Sequence, residues 1–116
     1  SIVRGTTSAR IVKLLRNAGA TEVHVRSSAP AFMNPCYFGT DIDSRENLIA
    51  YNYSIGEITK MIGADSLAFL NIRDIPKLMD AGCSGICDAC FTGKYPMEVP
   101  ENAPSVPKSI KKICKE

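Results

Sequence analysis

The chain has 116 residues, 45% hydrophobic and 22% charged, with 14 basic and 12 acidic side chains for a formal charge of +2. That length holds one small domain, and the composition excludes a disordered or collagen-like chain. So small and dispersed a charge leaves no footprint for nucleic acid, and no apolar run approaches a membrane span.

Ser1 to Arg10 is polar and lacks the apolar core of a secretory signal. From Ala9 a helix is predicted, because Ile11, Leu14, Leu15 and Ala18 recur at helical spacing with Arg10, Lys13, Arg16 and Asn17 opposite. Thr7 or Ser8 is expected to cap its start and Gly19 to stop it. Thr21 to Arg26 alternates, with Val23 and Val25 on one side and Glu22, His24 and Arg26 on the other, as a half-buried strand does. In an α/β protein such a unit normally follows another strand, which here would precede Ser1.

Ser28 to Asp43 reads as a loop broken by Pro30, Pro35 and Gly39, and it carries Cys36. Ser44 is expected to cap a short helix through Leu48, Ile49 and Ala50. Ser54-Ile55-Gly56-Glu57 has the form of a capping box, followed by Ile58, Met61 and Ile62 on one face and Gly63 as the stop. Leu67 to Leu70 predicts a buried strand, and Asp74 and Pro76 open a last helix through Leu78 and Met79 to Gly82. Beyond it lie a cysteine segment, Cys83 to Cys90, a Pro-rich stretch and a basic end, Lys108 to Lys115.

Two stretches could carry chemistry. Arg4-Gly5-Thr6-Thr7-Ser8 runs into a helix, where free N–H groups and the positive dipole end make an anion site. Gly5 would allow close approach of the backbone, and the hydroxyls add donors. A plain capped helix start uses the same residues, and on the pentapeptide alone it is the commoner outcome. The second stretch is Cys87-Asp88-Ala89-Cys90, with Cys83 just before it and Cys36 in a distant loop. Five cysteines, an odd count with a tight C-x-x-C and no signal, point to a reducing compartment and a metal or cluster site rather than disulfides. Zinc, an iron–sulfur cluster and a redox pair all use this spacing. A redox pair should open a helix after a strand, whereas this segment reads as Gly-rich coil. Cys114 in the Lys-rich end reads as an incidental thiol. His24, on the exposed side of its strand and without a nucleophile beside it, is given no role.

The opening Ser-Ile-Val-Arg-Gly-Thr-Thr-Ser resembles the phosphoribosyl-pyrophosphate-binding motif of the amidophosphoribosyltransferase family. The likeness continues through Ala18-Gly19-Ala20-Thr21-Glu22-Val23-His24-Val25-Arg26, Pro35-Cys36-Tyr37-Phe38-Gly39 and Glu46-Asn47-Leu48-Ile49-Ala50. It ends in Cys87-Asp88-Ala89-Cys90-Phe91-Thr92-Gly93-Lys94-Tyr95-Pro96, so it covers about residues 1 to 98 in order.

The resemblance implies an α/β fold, the C-terminal part of a phosphoribosyltransferase-type parallel-sheet domain followed by a cysteine-rich segment and a coil tail. The corresponding divisions are 1–82, 83–98 and a flexible basic tail over 99–116. It also implies the first step of purine biosynthesis, with phosphoribosyl pyrophosphate as substrate. Carried over by position, Arg4, Gly5, Thr6, Thr7 and Ser8 would hold the substrate's 5-phosphate. Cys36, Cys87 and Cys90 match three ligands of a 4Fe–4S cluster. The fourth would lie upstream, with Cys83 as a substitute at best. Magnesium would find its ligands mostly outside the chain. The expected partners are an N-terminal glutaminase and an upstream transferase segment within a homo-oligomeric, cytoplasmic parent, without nucleic acid or membrane. The acidic pair that opens the family's motif and the glutaminase nucleophile are missing, so the chain alone has no catalytic residue and is expected to be inactive. The rival readings are a fragment of another phosphoribosyltransferase, which has no reason to carry these cysteines, and a small zinc-stabilised binding module.

Overall fold

A computed structural model describes residues 1–42, 44–79 and 85–99. The predicted stop at Gly82, the substitute ligand Cys83, and the basic end with Cys114 lie outside the described residues. In order the chain forms α1 (Thr6–Asn17), β1 (His24–Ser27), a 3-10 turn (Arg45–Asn47), α2 (Ile49–Asn52), α3 (Ile55–Ile62) and β2 (Ser66–Phe69). A longer 3-10 segment (Ile72–Leu78) and α4 (Ala89–Thr92) follow.

β1 and β2 pair in parallel, from His24 opposite Ser66 to Ser27 opposite Phe69. Parallel strands need a crossover, and α2 and α3 supply it. The core lies under this unit: Ile2, Ile49, Ala50, Ile58, Ile62 and Leu67 form one buried cluster, with Val25, Met33 and Phe69 packed against it. The predicted alternation in β1 holds, since Val23 is buried and His24 exposed. Its start is later than predicted for a local reason. The Asp65 carboxylate accepts the Val23 N–H at 2.6 Å, so the strand ladder begins at His24. Arg16 joins the same carboxylate at 2.5 Å and donates to the Thr21 carbonyl at 2.5 Å, locking the end of α1 to the start of both strands.

The capping box forms as predicted. The Ser54 hydroxyl accepts the Glu57 N–H at 3.3 Å, and the Glu57 carboxylate accepts the Ser54 N–H at 2.8 Å. Gly63 ends α3 in the left-handed region at φ 74°. Ile58 and Ile62 turn inward, but Met61 is 52% exposed, on the flank rather than the buried face.

Four expectations need correction. The apolar stripe of α1 is not its buried face: Ile11, Leu14 and Leu15 are exposed, and Val12 is the residue that packs inward, toward Gly63. The helix touches α3 through one flank, and no described element covers the stripe. No side chain caps α1 either. Gly5 is its N-cap at φ 80°, and Thr7 lies inside the first turn. Ser44 does stand before the 3-10 turn, yet no backbone N–H is capped by its hydroxyl, which accepts from the Asn47 side chain at 3.1 Å. The last predicted helix is a 3-10 segment begun by Asn71, whose side chain accepts the Arg73 N–H at 3.0 Å. Pro76 lacks the N–H that an α-helical bond to Ile72 would use.

Candidate functional site

Residues 1–8 and Asp41 line an open cavity of about 390 Å³. The first α-helical bond of α1 runs from the Ala9 N–H to the Gly5 carbonyl at 2.9 Å. The N–H groups of Thr6, Thr7 and Ser8 therefore come before the helical ladder, at the positive end of the dipole. Thr6 and Thr7 are exposed and Ser8 half-buried, so their hydroxyls line the same mouth as Arg4. Gly5 also has a packing role. It is buried, and a Cβ there would lie 2.6 Å from Ile49 Cδ1, so the missing side chain lets the loop seat on α2. Asp41 was not singled out by sequence reasoning. It stands in a stretch with no periodicity, and only the fold brings it to this cavity.

The cysteines lie at a second place. The Met33 and Asn34 N–H groups donate to the Cys90 carbonyl at 2.9 and 3.0 Å, which sets the loop of Cys36 against α4. Phe32 stacks on Phe91 with centroids 5.0 Å apart, and the Tyr95 hydroxyl donates to the Pro35 carbonyl at 2.8 Å. Contrary to the coil expectation, Cys90 sits in the first turn of a short helix, with Asp88 as N-cap and Cys87 just ahead of it. Cys36 and Cys90 are half-buried and Cys87 is exposed, all as free thiols. N–H groups of Phe38 and Thr40 around its sulfur bring the Cys36 thiol down to about 7, the Thr40 contact at 3.4 Å. Burial, and then the neighbouring Cys36, push Cys90 up to about 11.

Among the described residues no three His, Cys, Asp or Glu side chains converge on a single ion. A cluster spreads its thiolates over several irons and needs no such convergence, so this finding bears on a lone zinc more than on an iron–sulfur group. The surroundings suit an anionic, sulfur-rich group. Arg45 is only 6% exposed, and its Nε and Nη1 atoms have no hydrogen-bond partner among the described residues. Soft thiolate donors beside an orphaned cation fit such a cluster.

A parallel β-α-β unit, preceded by a helix that begins at a hydroxyl-lined cavity, has the phosphoribosyltransferase type of α/β fold. No protein-family model matches the chain. It is 53% identical over 104 residues to amidophosphoribosyltransferase from Bacillus subtilis, across 85% of this chain and 22% of that protein. Against the enzyme of Synechococcus elongatus the identity is 50% over 101 residues, across 87% of this chain and 20% of the relative. Among solved structures, glutamine phosphoribosylpyrophosphate amidotransferase from B. subtilis, complexed with ADP and GMP, superposes with a TM-score of 0.76 at 50% identity, covering 90% of this chain and 24% of that one. The chain is thus homologous to the amidophosphoribosyltransferases over most of its length and shares their fold there. It spans about a fifth of the length of the curated relatives it matches. Among the described residues no helix is long and apolar enough to cross a membrane.

Proposed function

We propose that the chain is one segment of an amidophosphoribosyltransferase, in which ammonia released from glutamine displaces pyrophosphate from phosphoribosyl pyrophosphate. A C–N bond to the sugar forms as the C–O bond breaks, pyrophosphate leaves with the electron pair, and loss of a proton from nitrogen gives 5-phosphoribosylamine. The observation that carries this reading is the identity of about 50% with enzymes of that name across most of the chain.

In this reading residues 1–82 belong to the transferase domain and 83–98 form the cluster-binding segment. The Thr6, Thr7 and Ser8 N–H groups and hydroxyls hold the 5-phosphate, with Arg4 adding charge at the cavity mouth. Binding that remote phosphate fixes the sugar, so the reacting carbon is presented in one orientation. Asp41 repels a bare anion at the same cavity, and a magnesium ion carried with the substrate offsets that repulsion. Cys36, Cys87 and Cys90 hold a 4Fe–4S cluster, whose iron–thiolate bonds supply a cross-link between the Cys36 loop and α4. No catalytic residue lies in the chain itself. The rest of the transferase and the glutaminase come from the remainder of a cytoplasmic, homo-oligomeric enzyme.

The test is Thr7→Val with Ser8→Ala in the assembled enzyme, which removes hydroxyl donors and spares the backbone. Substrate binding should weaken by roughly 1–3 kcal/mol, as for hydrogen bonds to a charged group. Unchanged affinity for phosphoribosyl pyrophosphate would refute the loop assignment.

A further inference from the structure

We propose that Arg45 is the buried counter-charge of the iron–sulfur centre, a positioning residue that sets the cluster's electrostatics; this rests on the cluster reading above. Arg45 sits in the 3-10 turn after the Cys36 loop, 6% exposed. One side of the guanidinium is accounted for: Nη2 donates to Asn34 Oδ1 at 2.5 Å, and the group lies 5.3 Å from the centre of the Tyr51 ring. Nε and Nη1 are buried with no partner, and no carboxylate among the described residues pairs with it. A guanidinium never loses its proton in a protein, so the charge stays and needs an anion.

The anion that its surroundings point to is thiolate sulfur. Asn34 bridges the two groups, its side chain accepting from Arg45 while its N–H donates to the Cys90 carbonyl at 3.0 Å. The Tyr95 hydroxyl ties down the same loop. That hydroxyl donates to the carbonyl of Pro35, the residue before Cys36. The Tyr37 ring, in that loop, lies 5.1 Å from that of Tyr95. Asn34 and Tyr95 thus tie Arg45, Cys90 and the Cys36 loop into one region, where the buried guanidinium has no counter-charge among the described residues. A thiolate-held cluster brings negative charge into it, and a nearby cation favours the reduced, more negative state.

The experiment uses the assembled enzyme that carries this segment, isolated anaerobically as wild type, Arg45→Gln and Arg45→Lys. Iron and acid-labile sulfide per chain and the one-electron midpoint potential are measured. Arg45→Gln should reduce the ratio of reduced to oxidised cluster about tenfold at fixed potential, about 59 mV for one electron, while Arg45→Lys stays near wild type. A wild-type potential in a loaded Arg45→Gln enzyme overturns the proposal and leaves the cluster reading standing. Wild type without iron and sulfide overturns both. Should Arg45→Gln fold but fail to load, Arg45→Lys must load for the charge to be the cause. A Lys variant that also stays empty reduces Arg45 to packing and overturns the proposal.

Discussion

Replacing Gly5 by alanine sets a backbone preference and a steric contact against each other at one atom. Gly5 holds φ 80°, and an alanine forced there gives up roughly 1–2 kcal/mol to the left-handed conformation. Its Cβ would lie 2.6 Å from Ile49 Cδ1, below the 3.0 Å that real Cβ contacts essentially never breach. Ile49 belongs to the buried cluster, and its N–H is tied to the Val3 carbonyl at 2.9 Å, so loop and helix cannot simply part. Overpacking of this kind costs about 1–3 kcal/mol, and the two effects together about 2–5 kcal/mol. Urea unfolding followed by circular dichroism reads this as a lower midpoint at constant slope. Ile49→Val removes Cδ1 and alone should cost about 0.5–1.5 kcal/mol. Combined with Gly5→Ala it should recover about 1 kcal/mol or more of the clash and leave the backbone strain. A Gly5→Ala midpoint equal to wild type, or strictly additive single effects, would refute the reasoning.

Supplied with ammonia, magnesium and phosphoribosyl pyrophosphate, the 116-residue chain alone should release no pyrophosphate above background, and a coupled pyrophosphate assay decides. The Val23 N–H, and after it Arg16, hold the Asp65 carboxyl below its ordinary value of 3.8. Stability from Asp65 is therefore complete above that value and is lost as pH falls through the lowered one. Asp65→Asn should flatten the acid limb of the stability–pH curve below about pH 4. An acid limb as steep as wild type would show that the Arg16–Asp65–Val23 clamp contributes nothing.

Local rules served where the partner was local. The Ser54–Glu57 box closes between neighbours three residues apart, and its form is visible in the residues alone. Val23 and Val25 alternate against one sheet face, whereas the parallel pairing is implied by the family resemblance and not by local pattern. The stripe at Ile11, Leu14 and Leu15 shows the limit of periodicity. It measures amphipathicity and does not name the element that covers it, and within the described residues α1 meets α3 through Val12 instead. The cysteine pattern, read through its family resemblance, brought out Cys36, Cys87 and Cys90. Nothing in the chain advertised Asn34 or Arg45, which pair across eleven residues of loop with no repeating pattern. Asp41 reaches the phosphate cavity through the same aperiodic stretch.

That stretch joins the two candidate sites, and the join has a measurable consequence. Cys36 and Asp41 are ends of one tight loop: the Cys36 N–H donates to the Ile42 carbonyl at 2.9 Å, and the Ile42 N–H to the Thr40 carbonyl at 2.7 Å. The Thr40 N–H closes the turn on the Cys36 sulfur at 3.4 Å. Ile42 is buried at 3% exposure, so the loop is anchored at one end by packing and at the other by whatever holds that sulfur. An iron bond at Cys36 would fix the sulfur and with it the position of Asp41 on the cavity wall. Stripping iron from the assembled enzyme, or Cys36→Ser, would free that carboxylate to approach the anion it repels and should then weaken binding of phosphoribosyl pyrophosphate, although no cysteine among the described residues lines the cavity. The loss expected is within about 1–3 kcal/mol, the range of energetic linkage between separated sites. Asp41→Asn should shrink that loss, because the displaced carboxylate is the means by which the loop reaches the substrate. Equilibrium binding of the substrate with magnesium, before and after chelation, measures both. An affinity indifferent to iron in the wild type would separate the two sites, and an undiminished loss in Asp41→Asn would show that the linkage runs through some other part of the loop.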